Sequence, residues 1–178
     1  ERAILNSQND EVAVLLNENI SIFDSKNLES FKLNYTGHEN ESGITDIDKV
    51  PGSNYYVSSG HNFSHVWDYS GSGEVTEPSV NYTGHNDGPG IITNVVAINN
   101  SYIASSTAEN ISIWDRNDAN LNGKISSPLH SFSFNSELIK EVEEIDGKLL
   151  AGLNSGAIYE IIPSSSEQKI HLDSGNSN

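Results

Sequence analysis

The chain has 178 residues, enough for one domain with a real core, and its 25 acidic against 9 basic residues leave a net charge of −16. That charge disfavours direct binding to nucleic-acid phosphates, which needs clustered Lys and Arg, and makes a basic protein segment the natural complement. With no Cys, disulfides, thiolate nucleophiles and zinc-thiolate sites are excluded, and no apolar run approaches the roughly 18–20 residues of a membrane-spanning helix.

In chain order, a first strand-like stretch ends at Ile22-Phe23-Asp24, and the tract Asn34-Tyr35-Thr36-Gly37-His38 follows. Strands are predicted over 44–50, 55–59 and 63–68, the third ending in Val66-Trp67-Asp68, with a more polar fourth over 75–82. The tract then returns unchanged as Asn81-Tyr82-Thr83-Gly84-His85, 47 residues on. Strands over 91–98, 102–106 and 111–115 repeat the order and end in Ile113-Trp114-Asp115, again 47 residues after the first Trp. The polar, Asn-rich stretch 116–127 is expected to be a mobile insert, before a fourth strand over 129–134. In the last unit Ser131-Phe132 falls in the Gly-His register and Ile161 in the Trp slot. Its first strand lies within 136–145, where Leu138, Val142 and Ile145 are out of strict alternation.

Two full copies of Gly-His followed by Trp-Asp, flanked by two degenerate ones, resemble WD40 repeats over roughly residues 3–163. The resemblance implies an all-β fold: a WD40-type β-propeller of about four four-stranded antiparallel blades, forming a partial ring as a single domain over 1–178. The expected units are an incomplete one without its leading strand (about 3–36), then 37–83, 84–130 and 131–175. Seven blades, common in the family, would take roughly 315 residues, so the chain holds about half a ring. The expectation is therefore a fragment, or a ring completed by another chain, with an apolar sheet face open at each end.

The resemblance further implies that His38 reaches Ser59 and Trp67 inside one blade, and that His85 reaches Ser106 and Trp114 in the next. A buried imidazole or indole N–H without a partner costs about 1–3 kcal/mol, so such a relay pins loop to sheet. Asp24, Asp68 and Asp115 would end third strands and make turn contacts. The slot in which the family often carries an Asp holds His61 and Ala108, so both networks are expected to be incomplete.

The implied role is a non-catalytic scaffold or adaptor, a subunit of a multiprotein complex in the cytoplasm, the nucleus or both, with no cofactor and no metal. The loops that the resemblance gathers on one face carry Glu18, Glu39, Glu41, His61, Asp87 and Glu109, so the expected ligand is a basic partner segment. Two rivals belong to other classes. A propeller-type hydrolase or esterase would need catalytic residues outside this segment, since no Gly-x-Ser-x-Gly occurs. A secreted glycosylated module would use the seven Asn-x-Ser/Thr sequons, against roughly four expected by chance. His61 and His65 lack an acidic neighbour, which makes them a poor zinc pair, and Asp46 and Asp48 read as a solvated strand face rather than a cation site.

Overall fold

Short β-branched runs bounded by Gly, Asn and Ser pair with their sequence neighbours, so the chain zigzags into four sheets. The computed structural model describes residues 2–6, 10–16, 18–38, 43–85, 91–118, 123–134, 137–165 and 167–172, with backbone alone for 2–6 and 170–172.

Blade 1 comprises β1 (Arg2–Asn6), β2 (Glu11–Leu15), β3 (Ile20–Asp24) and β4 (Asn27–Tyr35). It therefore has the leading strand that the sequence reading left out; β1 pairs antiparallel with β2 over its full length. Blade 2 comprises β5 (Ile44–Lys49), β6 (Tyr55–Gly60), β7 (Ser64–Asp68) and β9 (Val80–Tyr82). Blade 3 comprises β10 (Asn94–Ala97), β11 (Tyr102–Ser106), β12 (Asn110–Asp115) and β14 (His130–Ser133). Blade 4 comprises β15 (Ile139–Ile145), β16 (Lys148–Leu153), β17 (Ile158–Ile161) and β18 (Gln168–Leu172).

Two further strands belong to one blade by sequence and to its neighbour by pairing. The predicted fourth strand 75–82 is really two pieces. Its start joins β8 (Gly73–Val75), which runs parallel along the outer edge of β4, and only Val80–Tyr82 stays in blade 2. Likewise β13 (Lys124–Ile125) lies parallel on the outer edge of β9. The stretch 116–127 is thus not a free insert in its described parts: Arg116–Asp118 forms a 3-10 turn, and the segment from Gly123 straps blade 3 to blade 2.

Alternation sends successive side chains to opposite faces, and blades 2 and 3 pack on both. Ile20, Ile22, Leu33 and Tyr35 of blade 1 meet Ile47, Tyr56 and Trp67 of blade 2. Val57, Val66 and Val80 on the other face of blade 2 meet Val95, Ile103 and Trp114 of blade 3. Ala104, Ile111, Ile113 and Phe132 then meet Val142, Leu149, Ala151 and Ile161 of blade 4. Three apolar layers therefore separate four sheets, and Ile161 fills the Trp slot with no exposed surface. In β15 a register shift between Ile139 and Glu141 explains the broken period, placing Ile139 and Val142 in the core while Ile145 is exposed.

Pairing also corrects the register of the last repeat. Tyr82 stands opposite Ser64, and Phe132 stands opposite Ile111, the equivalent position. The offset here is 50 rather than 47, because the strand connection is three residues longer. Phe134 and Asn135, not Ser131-Phe132, therefore occupy the Gly-His slot, and Asn135 lies outside the described residues.

Candidate binding face and the blade networks

On β6, Tyr56 and Ser58 share the face of Trp67 and His65, with which they are directly paired. Ser58 Oγ accepts the Trp67 indole N–H at 3.1 Å and lies 2.7 Å from His38 Nε2, all three residues being buried. The serine in the relay is Ser58, then, and not Ser59. Ser59 points to the other face, where its hydroxyl meets Thr45 Oγ1 at 2.9 Å. Blade 3 shows the same correction: Ser105 Oγ accepts from Trp114 Nε1 at 2.8 Å and lies 3.3 Å from His85 Nδ1, while Ser106 hydrogen-bonds Asn94. One residue of displacement along a strand exchanges its faces, and an alignment by offset alone does not specify which serine faces the indole. Asp24, Asp68 and Asp115 each accept a backbone N–H two residues on, from Lys26, Ser70 and Asn117, closing the turn after each third strand.

His65, weighed from sequence only as a metal ligand, belongs to the blade 2 network. Its ring stacks on His38 at 4.3 Å, and its Nδ1 lies 3.0 Å from Tyr35 Oη, while Tyr35 stacks flat on Trp67 at 4.6 Å. Burial, with His38 beside it, holds the His65 pKa down to about 3, and burial lowers that of His85 to about 4, so both rings are neutral at physiological pH. In blade 3 the position of His65 is taken by Ser112, paired with Ser105 as His65 is with Ser58. A cavity of about 50 Å³, bordered by His85, Ser105, Ser112 and Ser131, stands there instead. Tyr82 Oη and His85 Nε2 are buried with no hydrogen-bond partner among the described residues.

Of the expected partner-binding residues, Glu39, Glu41 and Asp87 lie outside the described residues. Glu18 and Glu109 are exposed and His61 is half-buried. The His61 carbonyl accepts the Ile92 N–H and the Glu109 carbonyl accepts the Phe134 N–H, so these turns lie against described residues that flank the connections between blades.

A second acidic feature comes from the first strands of three blades. Asp46 and Asp48 on β5, Val95 to Ala97 on β10, and Glu141, Glu143 and Glu144 on β15 line a groove of about 320 Å³. Asp46 and Asp48 are not a solvated edge: Asp46 Oδ2 accepts the Val95 N–H at 3.0 Å and Asp48 Oδ2 that of Ala97 at 2.8 Å, tying blade 2 to blade 3. Burial raises the Asp48 pKa to about 6, although the Ala97 and Lys49 N–H groups hold it down. Lys49, the one cation among the described residues lining the groove, turns its ammonium to the Ser53 carbonyl and over the Tyr69 ring at 4.3 Å, leaving the glutamates without a counter-charge from it. Among the described residues no group of three or more His, Asp and Glu side chains could hold a metal ion.

No protein-family model matches the chain, and no curated protein matches it in sequence. Solved structures do. The WD40 β-propeller domain of Doa1 superposes with a TM-score of 0.65 at 10% identity, over 91% of this chain and 50% of that one. The computationally designed Ika8 protein superposes with a TM-score of 0.69 at 14% identity, over 95% of this chain and 48% of that one. The chain thus spans about half the length of the solved structures it matches, and its fold is that of a WD40-type β-propeller over four blades.

Proposed function

We propose that the chain is a protein-interaction scaffold whose acidic side receives a basic segment of a partner protein, as a subunit of a multiprotein complex. The observation that carries this reading is the groove of three first strands, where Glu141, Glu143 and Glu144 join Asp46 and Asp48 and the single lysine is engaged elsewhere. Low-dielectric walls focus such a field and raise the local concentration of cationic ligands. Exposed Glu18 and Glu109 extend the acidic surface onto the loop side.

The half-length match to propellers supports a ring completed by further residues or by another chain. Val12, Val14 and Phe23, half-buried on the far face of blade 1, are the side chains such a completion would cover. A cytoplasmic or nuclear setting fits a chain without cysteine. It also fits the duplicated sequon: the Asn34 amide accepts the Ser21 hydroxyl and Asn81 Oδ1 is buried, poor positions for a glycan.

The test is fluorescence anisotropy with a labelled Lys/Arg-rich peptide at low and high salt. Binding should weaken about tenfold or more as salt rises from roughly 50 to 300 mM, and Glu141→Lys with Glu143→Lys should weaken it further than Glu18→Lys with Glu109→Lys. Affinity unmoved by salt and by both pairs of reversals would rule the acidic side out.

A further inference from the structure

The two straps are copies of one motif. Gly73-Glu74-Val75-Thr76-Glu77-Pro78 and Gly123-Lys124-Ile125-Ser126-Ser127-Pro128 share glycine, a charged residue, a β-branched aliphatic, a hydroxyl and proline at the same spacing, 50 residues apart. Both glycines have positive φ, 93° and 65°. A Cβ on Gly123 would lie 2.5 Å from the Ser79 carbonyl oxygen, so only glycine lets the strap approach this closely. The aliphatic residue pairs with the tyrosine at the end of the receiving strand, Val75 with Tyr35 and Ile125 with Tyr82, and Ile125 is buried. Beyond it, the Thr36 N–H donates to the Val75 carbonyl and the Thr83 N–H to the Ile125 carbonyl, both at 2.9 Å.

Blade 3 has the same edge without a strap. The outer edge of β14 pairs with no strand among the described residues. Its strap would come from the connection between β17 and β18, but Ile162-Pro163-Ser164-Ser165-Ser166-Glu167 is six residues long and contains no Gly-x-aliphatic. Phe132 stands in the place of Tyr35 and Tyr82, and Ser133 in the place of Thr36 and Thr83, so the Ser131 and Ser133 N–H groups point outward by strand alternation. Sheet edges are ordinarily blunted by Lys, Pro or bulges. β18 carries Lys169 and a register shift, whereas His130-Ser131-Phe132-Ser133 carries none of these.

We propose that the outer edge of β14 is a β-augmentation site, which takes in parallel a short extended segment of a partner protein with the pattern Gly-x-Ile/Val. The chemistry of the occupant is read from the two edges the molecule fills itself. The segment needs a glycine to pass the Leu129 carbonyl, the counterpart of Ser79, and an aliphatic residue beside Phe132. Phe134, in the place of Gly84, ends the footprint there; a Cβ on Gly84 would already lie 2.1 Å from the Ser126 carbonyl oxygen of the strap. This site is separate from the acidic groove and does not depend on it.

The probe is a labelled peptide with the strap's own sequence, Leu-Asn-Gly-Lys-Ile-Ser-Ser-Pro, added to the full chain. The peptide should bind and slow hydrogen exchange at Ser131 and Ser133, and an Asp in place of its Ile should weaken it about tenfold or more. Ser133→Pro removes an outward donor without touching the β12 ladder and should abolish binding with the far-UV spectrum unchanged. Should that variant misfold, the exchange footprint on the unaltered chain decides alone. No binding, a footprint away from Ser131 and Ser133, or equal affinity for the Asp peptide would overturn the proposal. Self-association that protects those two amides without peptide would overturn it in favour of a second copy as occupant.

Discussion

Blades 2 and 3 carry the same repeat signature, Gly-His followed by Trp-Asp, yet one is finished and the other is not. Both carry the His–Ser–Trp relay, through His38, Ser58 and Trp67 and through His85, Ser105 and Trp114. In blade 2 His65 fills the space beside the relay and meets Tyr35 Oη, and β13 covers the outer edge. In blade 3 Ser112 is too short to fill that space or reach the tyrosine: a cavity of about 50 Å³ remains and Tyr82 Oη is buried without a described partner, while the outer edge of β14 pairs with no strand among the described residues. The lesson is that the repeat signature sets the relay, while residues outside the signature decide how rigidly each blade is held.

His65 and Ser112 stand at one equivalent position where the two blades differ, and exchanging them isolates its effect. The larger effect is expected from His65→Ser, which removes a hydrogen bond to the buried Tyr35 hydroxyl, worth about 1–3 kcal/mol, and opens a cavity of roughly 50 Å³, worth about 1 kcal/mol more. A loss of about 2–4 kcal/mol should appear as a lower denaturant midpoint in chemical unfolding. Ser112→His is the reverse and smaller change. It fills the blade 3 cavity and offers Tyr82 Oη a nitrogen, so a gain on the order of 1 kcal/mol is expected, limited by the cost of desolvating the new imidazole. Equal and small effects from both substitutions would mean that the two blades do not differ in the way described.

Much of the fold was legible because its signals are periodic. Gly-His and Trp-Asp at an offset of 47 marked blades 2 and 3, and runs of alternating residues marked their strands. Three things were not legible, each for a physical reason. An offset does not separate Ser58 from Ser59, because strand parity depends on exact pairing, which the β6 ladder settles. β8 and β13 are invisible to periodicity because strands of two or three residues held by a neighbouring sheet have almost none of their own; the duplicated Gly-x-Val/Ile-Thr/Ser-x-Pro pattern is the available signal, at offset 50 instead of 47. His65, Tyr35 and the Asp46–Asp48 pair act across interfaces between units, and a reading made unit by unit does not see contacts between them.

Amide hydrogen exchange on the free chain tests the difference between the two blades most directly. The Asn81 and Thr83 N–H groups donate to Gly123 and Ile125, whereas their counterparts at Ser131 and Ser133 face outward with no strand beside them among the described residues. Strong protection is expected for the first pair and exchange at close to unprotected rates for the second. Matching protection at all four amides, or protection at Ser131 and Ser133 alone, would contradict it.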